Sequence, residues 1–250
     1  MTLEIKSLKS DLKEDFRIVA LVQGESGSGK TTLGSTFPAP IFLDCDDNLQ
    51  GVADSHAKSI RLCDISEALF MQEYEAGMEI ASRDPWCKTI VLDSLSTFSH
   101  MLMTNIQIRS KSYGKVPNQH DYLTQMSYIK QTIMRLKRTG KNVVLTCHIN
   151  IDKNEVTGKW RALPLVTGKL AQQIGGLFQE NWMMFNDSLN GKGVFKLKSI
   201  GDEIFSAKSL IILPEHKNEI LDPSYSKIIE SSKYANLIID VGETPLQKGK

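Results

Sequence analysis

The chain has 250 residues, with 30 Lys+Arg against 29 Asp+Glu, 41% hydrophobic residues and 24% charged residues. That composition belongs to a globular protein with a sizeable core and excludes a disordered or fibrous chain. No apolar run approaches the roughly 20 residues that cross a bilayer, Met1–Phe16 is too polar for a secretory signal, and Cys45, Cys63, Cys87 and Cys147 form no CxxC pair, so reduced thiols in a cytoplasmic protein are expected.

In chain order, Arg17–Gln23 (RIVALVQ) is short, apolar and β-branched, as a buried strand requires. Gly24–Lys30 follows as a glycine-rich loop, and a helix starts near Thr31 and is broken by Pro38 and Pro40. Ile41–Leu43 reads as a second strand that runs into Asp44, Asp46 and Asp47. Asp64–Ser82 reads as a helix, with Asp64 and Glu67 at capping-box spacing and Pro85 beyond it. Lys88–Ser94 (KTIVLDS) is a third strand.

Residues 105–120 read as a basic loop. Tyr122, Met126, Ile129, Ile133 and Leu136 then fall on one helical face, with Gly140 placed to end the helix. Asn142–Cys147 (NVVLTC) is a fourth strand, 150–168 a long basic loop, and Lys169–Gly176 a short helix. Asn181–Asn186 and Gly193–Ile200 read as later strands joined near Asn190-Gly191, and Val241–Lys250 as a frayed polar tail. Strands that are apolar throughout and alternate with helices indicate an α/β protein whose mostly parallel sheet is covered on both faces. The expected division is an N-terminal segment 1–15, a core 16–215 and a β-rich C-terminal extension 216–250.

The near-zero net charge hides an asymmetry. Residues 31–99 hold 4 basic and 11 acidic side chains, and residues 100–170 hold 12 basic and 3 acidic ones. A basic segment of this kind suits a phosphate-rich partner, and it equally suits a solvated surface.

Gly24-Glu25-Ser26-Gly27-Ser28-Gly29-Lys30-Thr31 fits GxxxxGK[ST], followed by Thr32. Glycines let backbone N–H groups turn inward around phosphate oxygens, at a helix N-terminus that favours an anion. Lys30 is placed to reach the β- and γ-phosphates of ATP, and the Thr31 hydroxyl to ligate Mg²⁺. Asp93, at the end of a buried strand, suits the second shell of that Mg²⁺, or else a helix cap shared with Ser94 and Ser96. Asp44, Asp46 and Asp47 are candidates to orient the attacking water, and His148, just after a strand, to sense the γ-phosphate. Arg109, Lys111 and Lys115 beside Tyr113, and Lys153, Lys159 and Arg161 beside Trp160, combine cations with aromatics as single-stranded nucleic acid binding does. Cys147 beside His148 lacks a second pair of ligands for a metal.

The ordered blocks GESGSGKTT, IFLDCDDNL, TIVLDSLS, VVLTCHIN and LVTGKL resemble the RecA-like core of P-loop ATPases, and most of all the compact phage Sak-type single-strand annealing and recombination ATPases. The resemblance implies a RecA-like fold over about 16–215, Mg-ATP hydrolysis, and single-stranded DNA held by segments 105–120 and 150–168. It implies water activation by Asp46, with Asp47 left open because Asp is shorter than the Glu of many relatives, and γ-phosphate sensing by His148. It also implies host-cell cytoplasm, action in recombination, a DNA-binding or annealing partner protein, and either a homo-oligomer (ring or filament) or monomers that assemble on DNA. The competing reading is a nucleotide-dependent switch that docks a protein through the same basic segments; no arginine-rich lid favours a small-molecule kinase.

Overall fold

The computed structural model describes residues 16–153, 155, 158–189 and 192–235. The expected N-terminal segment 1–15, the Asn190-Gly191 turn and the Val241–Lys250 tail lie outside the described residues. An eight-stranded sheet organises the chain. Its strands are β1 (Val19–Gly24), β2 (Pro40–Asp44), β3 (Lys58–Arg61), β4 (Thr89–Asp93), β5 (Asn142–Cys147), β8 (Glu180–Leu189), β9 (Lys192–Lys198) and β10 (Ile220–Leu221), in the order β10-β9-β8-β1-β5-β4-β2-β3. The run from β8 to β3 is parallel, whereas β9 pairs antiparallel with β8 and with β10. The helices are α1 (Lys30–Ser35), α2 (Phe70–Arg83), α3 (Leu95–Arg109), α4 (Gln119–Lys137), α5 (Leu170–Gln173) and α6 (Tyr225–Glu230). No described helix is long and apolar enough to cross a membrane.

Apolar strands are needed here because both faces are covered. Successive strand side chains point to opposite faces. Val19, Leu21, Leu43, Ile90, Leu92, Val143 and Leu145 therefore pack with Tyr74, Phe98, Ile129 and Ile133 from α2, α3 and α4. The intervening Ala20, Val22, Phe42, Val91 and Val144 pack with Leu33 of α1, Trp182 of β8, and Ile228 and Ile229 of α6. Trp182 is fully buried, and its indole N–H donates to Glu180 Oε2 at 2.9 Å, a carboxylate that also accepts from the Leu210 N–H at 2.9 Å. Burial raises the Glu180 carboxyl above its usual range despite these donors.

The structure redraws four expected segments. The helix expected from Asp64 begins at Phe70; Asp64 instead pairs with Arg61 at 2.9 Å, at the end of β3. Strand β3 escapes notice in the sequence because it is an edge strand with mostly exposed polar side chains. Residues 105–120 are not one loop. The last turns of α3 and the start of α4 leave only 110–118 between them. Helix α3 buries Ser96, Ser99, Asn105 and Gln107 along with its apolar residues, so no helical stripe stands out. The 150–168 segment is a β-hairpin, β6 (Ile149–Lys153) against β7 (Trp160–Pro164), with Lys153 opposite Trp160. Strand β6 (INIDK) alternates Ile149 and Ile151 with Asn150 and Asp152, but the run is short and mostly exposed, so it marks no buried strand. On α4, Ile129, Ile133 and Leu136 are buried as expected while Tyr122 is exposed. The helix starts earlier than the apolar face suggests, at an Asn118–Asp121 capping box.

Candidate functional site

Parallel strands deliver their carboxyl ends to one edge of the sheet, and that edge holds the candidate site. Strand β1 ends at Gly24, where the backbone passes so close to β8 that a Cβ would lie 2.5 Å from the Met184 carbonyl oxygen. Gly29, at φ 86°, hands the loop to α1; a Cβ there would sit 2.7 Å from Cδ1 of Phe195. Gly29→Ala combines left-handed strain with overpacking and is expected to cost about 1–3 kcal/mol of stability. Denaturant unfolding measures this, and the double variant with Phe195→Ala should recover the steric part alone.

Lys30 is buried, and its Nζ donates to the Gly24 carbonyl at 3.0 Å and the Glu25 carbonyl at 2.7 Å, with Ser28 Oγ at 3.4 Å. Burial lowers its pKa, against the pull of Asp93, Cys147, Asp46 and Glu25. Thr31 Oγ1 donates to Asp93 Oδ2 at 2.8 Å, and the Thr146 hydroxyl of β5 donates to the other Asp93 oxygen. This second contact exists because β5 lies between β1 and β4. Burial pushes Asp93 above the usual carboxylate range, opposed by Thr146 and Thr31 and reinforced by Asp46 and Asp44. A neighbouring cation would stabilise its charged form. The helix-cap alternative for Asp93 does not hold, since Ser94 caps α3 by accepting from the Thr97 N–H at 3.3 Å.

Asp44 Oδ1 accepts the N–H groups of Asp46 (3.1 Å) and Asp47 (3.0 Å), and this turn separates the two carboxylates. Asp46 faces inward. Its Oδ1 accepts from Ser94 Oγ at 3.1 Å, and its Oδ2 lies 3.6 Å from His148 Nε2. Burial pushes its pKa up, but His148, Thr97 and Ser94 together outweigh burial and hold the carboxyl below its usual range. Asp47 faces out and pairs with Arg61 at 2.7 Å, so the structure does not bring it to the site. Asp44 is occupied by the turn. The His148 N–H donates to Ser96 Oγ at 3.0 Å, whose hydroxyl also lies 3.4 Å from buried Cys147 Sγ.

One cavity of about 230 Å³ is lined by Ser26 to Thr32, Asp46, Asp93 and His148. Its lining also includes Asn48, Gly51, Val52 and Phe195, which sequence reasoning missed. No local signal marks Phe195, which stands on β9, far along the chain from the loop. Glu25 lines a neighbouring cavity of about 430 Å³ and contributes its carbonyl to Lys30. The loop, the buried ammonium and the Thr31–Asp93 pair suit Mg-ATP: Gly24 to Thr32 would hold phosphates, and Thr31 with Asp93 would hold Mg²⁺. The metal would supply charge neutralisation at the phosphates.

The basic residues are placed apart from this cavity. Arg109 ends α3, and Lys111, Tyr113 and Lys115 follow it, with Tyr113 exposed. Lys153, Trp160 and Arg161 stand on the β6–β7 hairpin with Trp160 exposed, and Lys159 lies 3.6 Å from Glu203. A groove of about 630 Å³ is lined mainly by α3 (Ser96 to Gln107), with Pro117, Tyr122 and Leu165 to Thr167, and none of these eight basic and aromatic residues lines it. His148 lines both this groove and the glycine-loop cavity.

A family model described as an AAA domain matches residues 17–188, more than half of the chain. No curated protein matches the chain.

Proposed function

Because the chain belongs to the AAA domain family of nucleotide-binding ATPases, we propose that it hydrolyses Mg-ATP and couples hydrolysis to binding single-stranded DNA in recombination, in the manner of the Sak-type phage proteins it resembles. The observation that carries the ATPase part is the convergence of Lys30, Thr31, Asp93, Asp46 and His148 on one cavity. Asp46 accepts a proton from, and orients, the attacking water. Lys30 presents its ammonium to the developing phosphate charge. His148 stands 3.6 Å from Asp46 and lines the same cavity, where it would sense the γ-phosphate.

The DNA part rests on the cations of the 109–115 and 153–161 segments and on the exposed Tyr113 and Trp160, which offer phosphate neutralisation and base stacking. A DNA-binding or annealing protein, a ring or filament of copies, and the host cytoplasm belong to the same reading. The exposed Val116, Tyr122 and Leu123 favour a second one, a nucleotide switch that docks a protein partner there. ATPase rate and DNA binding across a salt series separate the two. The DNA reading expects single-stranded DNA to stimulate turnover and log K to fall with log salt. Changing Lys111, Lys115 and Lys153 to Glu is expected to flatten that slope by about 2 units, at about 0.7 per lost phosphate contact, with nucleotide affinity intact. Binding that ignores salt would leave the docking reading.

A further inference from the structure

We propose that the ring of Phe195 is the platform on which the base of a bound nucleoside triphosphate stacks, an assignment that rests on the nucleotide-binding reading above. The cavity lining divides by chemistry. Lys30, Thr31, Asp93 and His148 are charged or polar groups suited to phosphate, metal and water. Phe195, Val52 and Asn48 supply an aromatic ring, an aliphatic side chain and an amide with no charge among them. That is the chemistry of a base: a π-face to stack on, an apolar wall, and a hydrogen-bonding group at the edge.

Phe195 is also held in place. Three consecutive ring carbons, Cγ, Cδ1 and Cε1, come within 2.7–3.0 Å of where a Gly29 Cβ would be, so the ring sits against the last loop residue before α1. Its backbone is clamped by Asp222: the Phe195 N–H donates to Asp222 Oδ1 at 3.1 Å, and the Asp222 N–H donates to the Phe195 carbonyl at 2.7 Å. Directly opposite on β8 is Asn186, whose Nδ2 donates to the Gly27 carbonyl at 3.1 Å. The β8–β9 pair therefore grips the glycine loop at two points and sets the ring beside it. Strand β9 lies beyond residue 188, where the family match ends, so this platform comes from a part of the chain that the match does not include.

The test compares Mg-ATP with Mg-tripolyphosphate, which has the phosphates and no base. Calorimetric titration of the full chain is carried out on the wild type, Phe195→Leu, Phe195→Trp and Lys30→Ala. Phe195→Leu keeps apolar bulk against Gly29 and removes the π-face. It is expected to weaken ATP binding by about 5- to 150-fold while tripolyphosphate affinity stays at the wild-type value. Phe195→Trp is expected to keep ATP affinity, and Lys30→Ala to lose both ligands. Equal losses of ATP and tripolyphosphate in Phe195→Leu would overturn the platform and make the ring a support for the loop. Wild-type ATP affinity in Phe195→Leu would overturn it as well. A wild type that binds tripolyphosphate as tightly as ATP would sink the platform and leave the phosphate site standing, whereas a wild type that binds neither would sink both.

Discussion

Asp46→Asn is expected to lower the rate of ATP hydrolysis by about 10²–10⁴-fold, the range of a lost general base, with nucleotide affinity nearly unchanged. Asn keeps the shape and can still meet Ser94 Oγ, 3.1 Å from the Asp46 carboxylate, so the turn around Asp44 survives. What disappears is the negative oxygen beside His148. Asp47→Asn is the matching control: Asp47 is half exposed and pairs with Arg61 outside the cavity, so its replacement should change the rate by no more than about twofold. Single-turnover hydrolysis with separately measured nucleotide affinity distinguishes the two. Equal rates for wild type and Asp46→Asn would remove Asp46 from the reaction.

The pH dependence follows with a definite sign. The folded-state pKa of Asp46 is depressed below its unfolded value. Its contribution to stability is therefore present above the unfolded carboxylate pKa and lost only as pH falls through the folded one. The base stays ionised through the mildly acid range, so Asp46 should produce no acid limb in the activity profile near neutrality.

Lys30→Ala is expected to abolish turnover, with a loss of at least about 10²–10³-fold, and to remove nucleotide-induced stabilisation. In the wild type, ATP at 100 times its Kd should add about 2.7 kcal/mol of stability; in the variant the added stability should be absent. The nucleotide-free proteins should differ less than this, because two effects of the substitution oppose each other. Removing the ammonium leaves the buried Gly24 carbonyl without its donor, at about 1–3 kcal/mol for a buried group left unpaired, while the carbonyl of exposed Glu25 can turn to water. It also relieves the desolvation that depresses the Lys30 pKa. That cost is present below the folded pKa, where Lys30 is charged in both states, so its relief applies at neutral pH. Thermal unfolding with and without Mg-ATP checks both statements. Normal turnover in Lys30→Ala would remove the loop from the chemistry, and collapse of the nucleotide-free protein would make the lysine structural.

By itself the sequence determined the parallel α/β class, the glycine loop and its lysine, and the strand that ends in Asp93. These signals are local: an apolar run long enough for a strand buried on both faces, and loop glycines, of which Gly24 and Gly29 stand where no Cβ fits. The order of the blocks also pointed to Asp46 and His148 as partners in one site. It could not separate Asp46 from Asp47, because adjacent residues share nearly the same local chemistry. Only the turn built on Asp44 sends one carboxylate inward and the other to Arg61.

Strand β3, helix α3 and the β6–β7 hairpin were hidden for a common reason. Strand β3 and the hairpin are short and largely exposed, and α3 buries polar residues among its apolar ones, so hydrophobic periodicity does not mark them clearly. Tertiary structure alone decided that Thr146 braces Asp93, that His148 stands between the loop cavity and the groove, and that Phe195 closes on Gly29. Each depends on strand order: β5 between β1 and β4, and β8 with β9 on the other side of β1. Neighbours chosen by sheet pairing are far apart along the chain, and no local pattern records them.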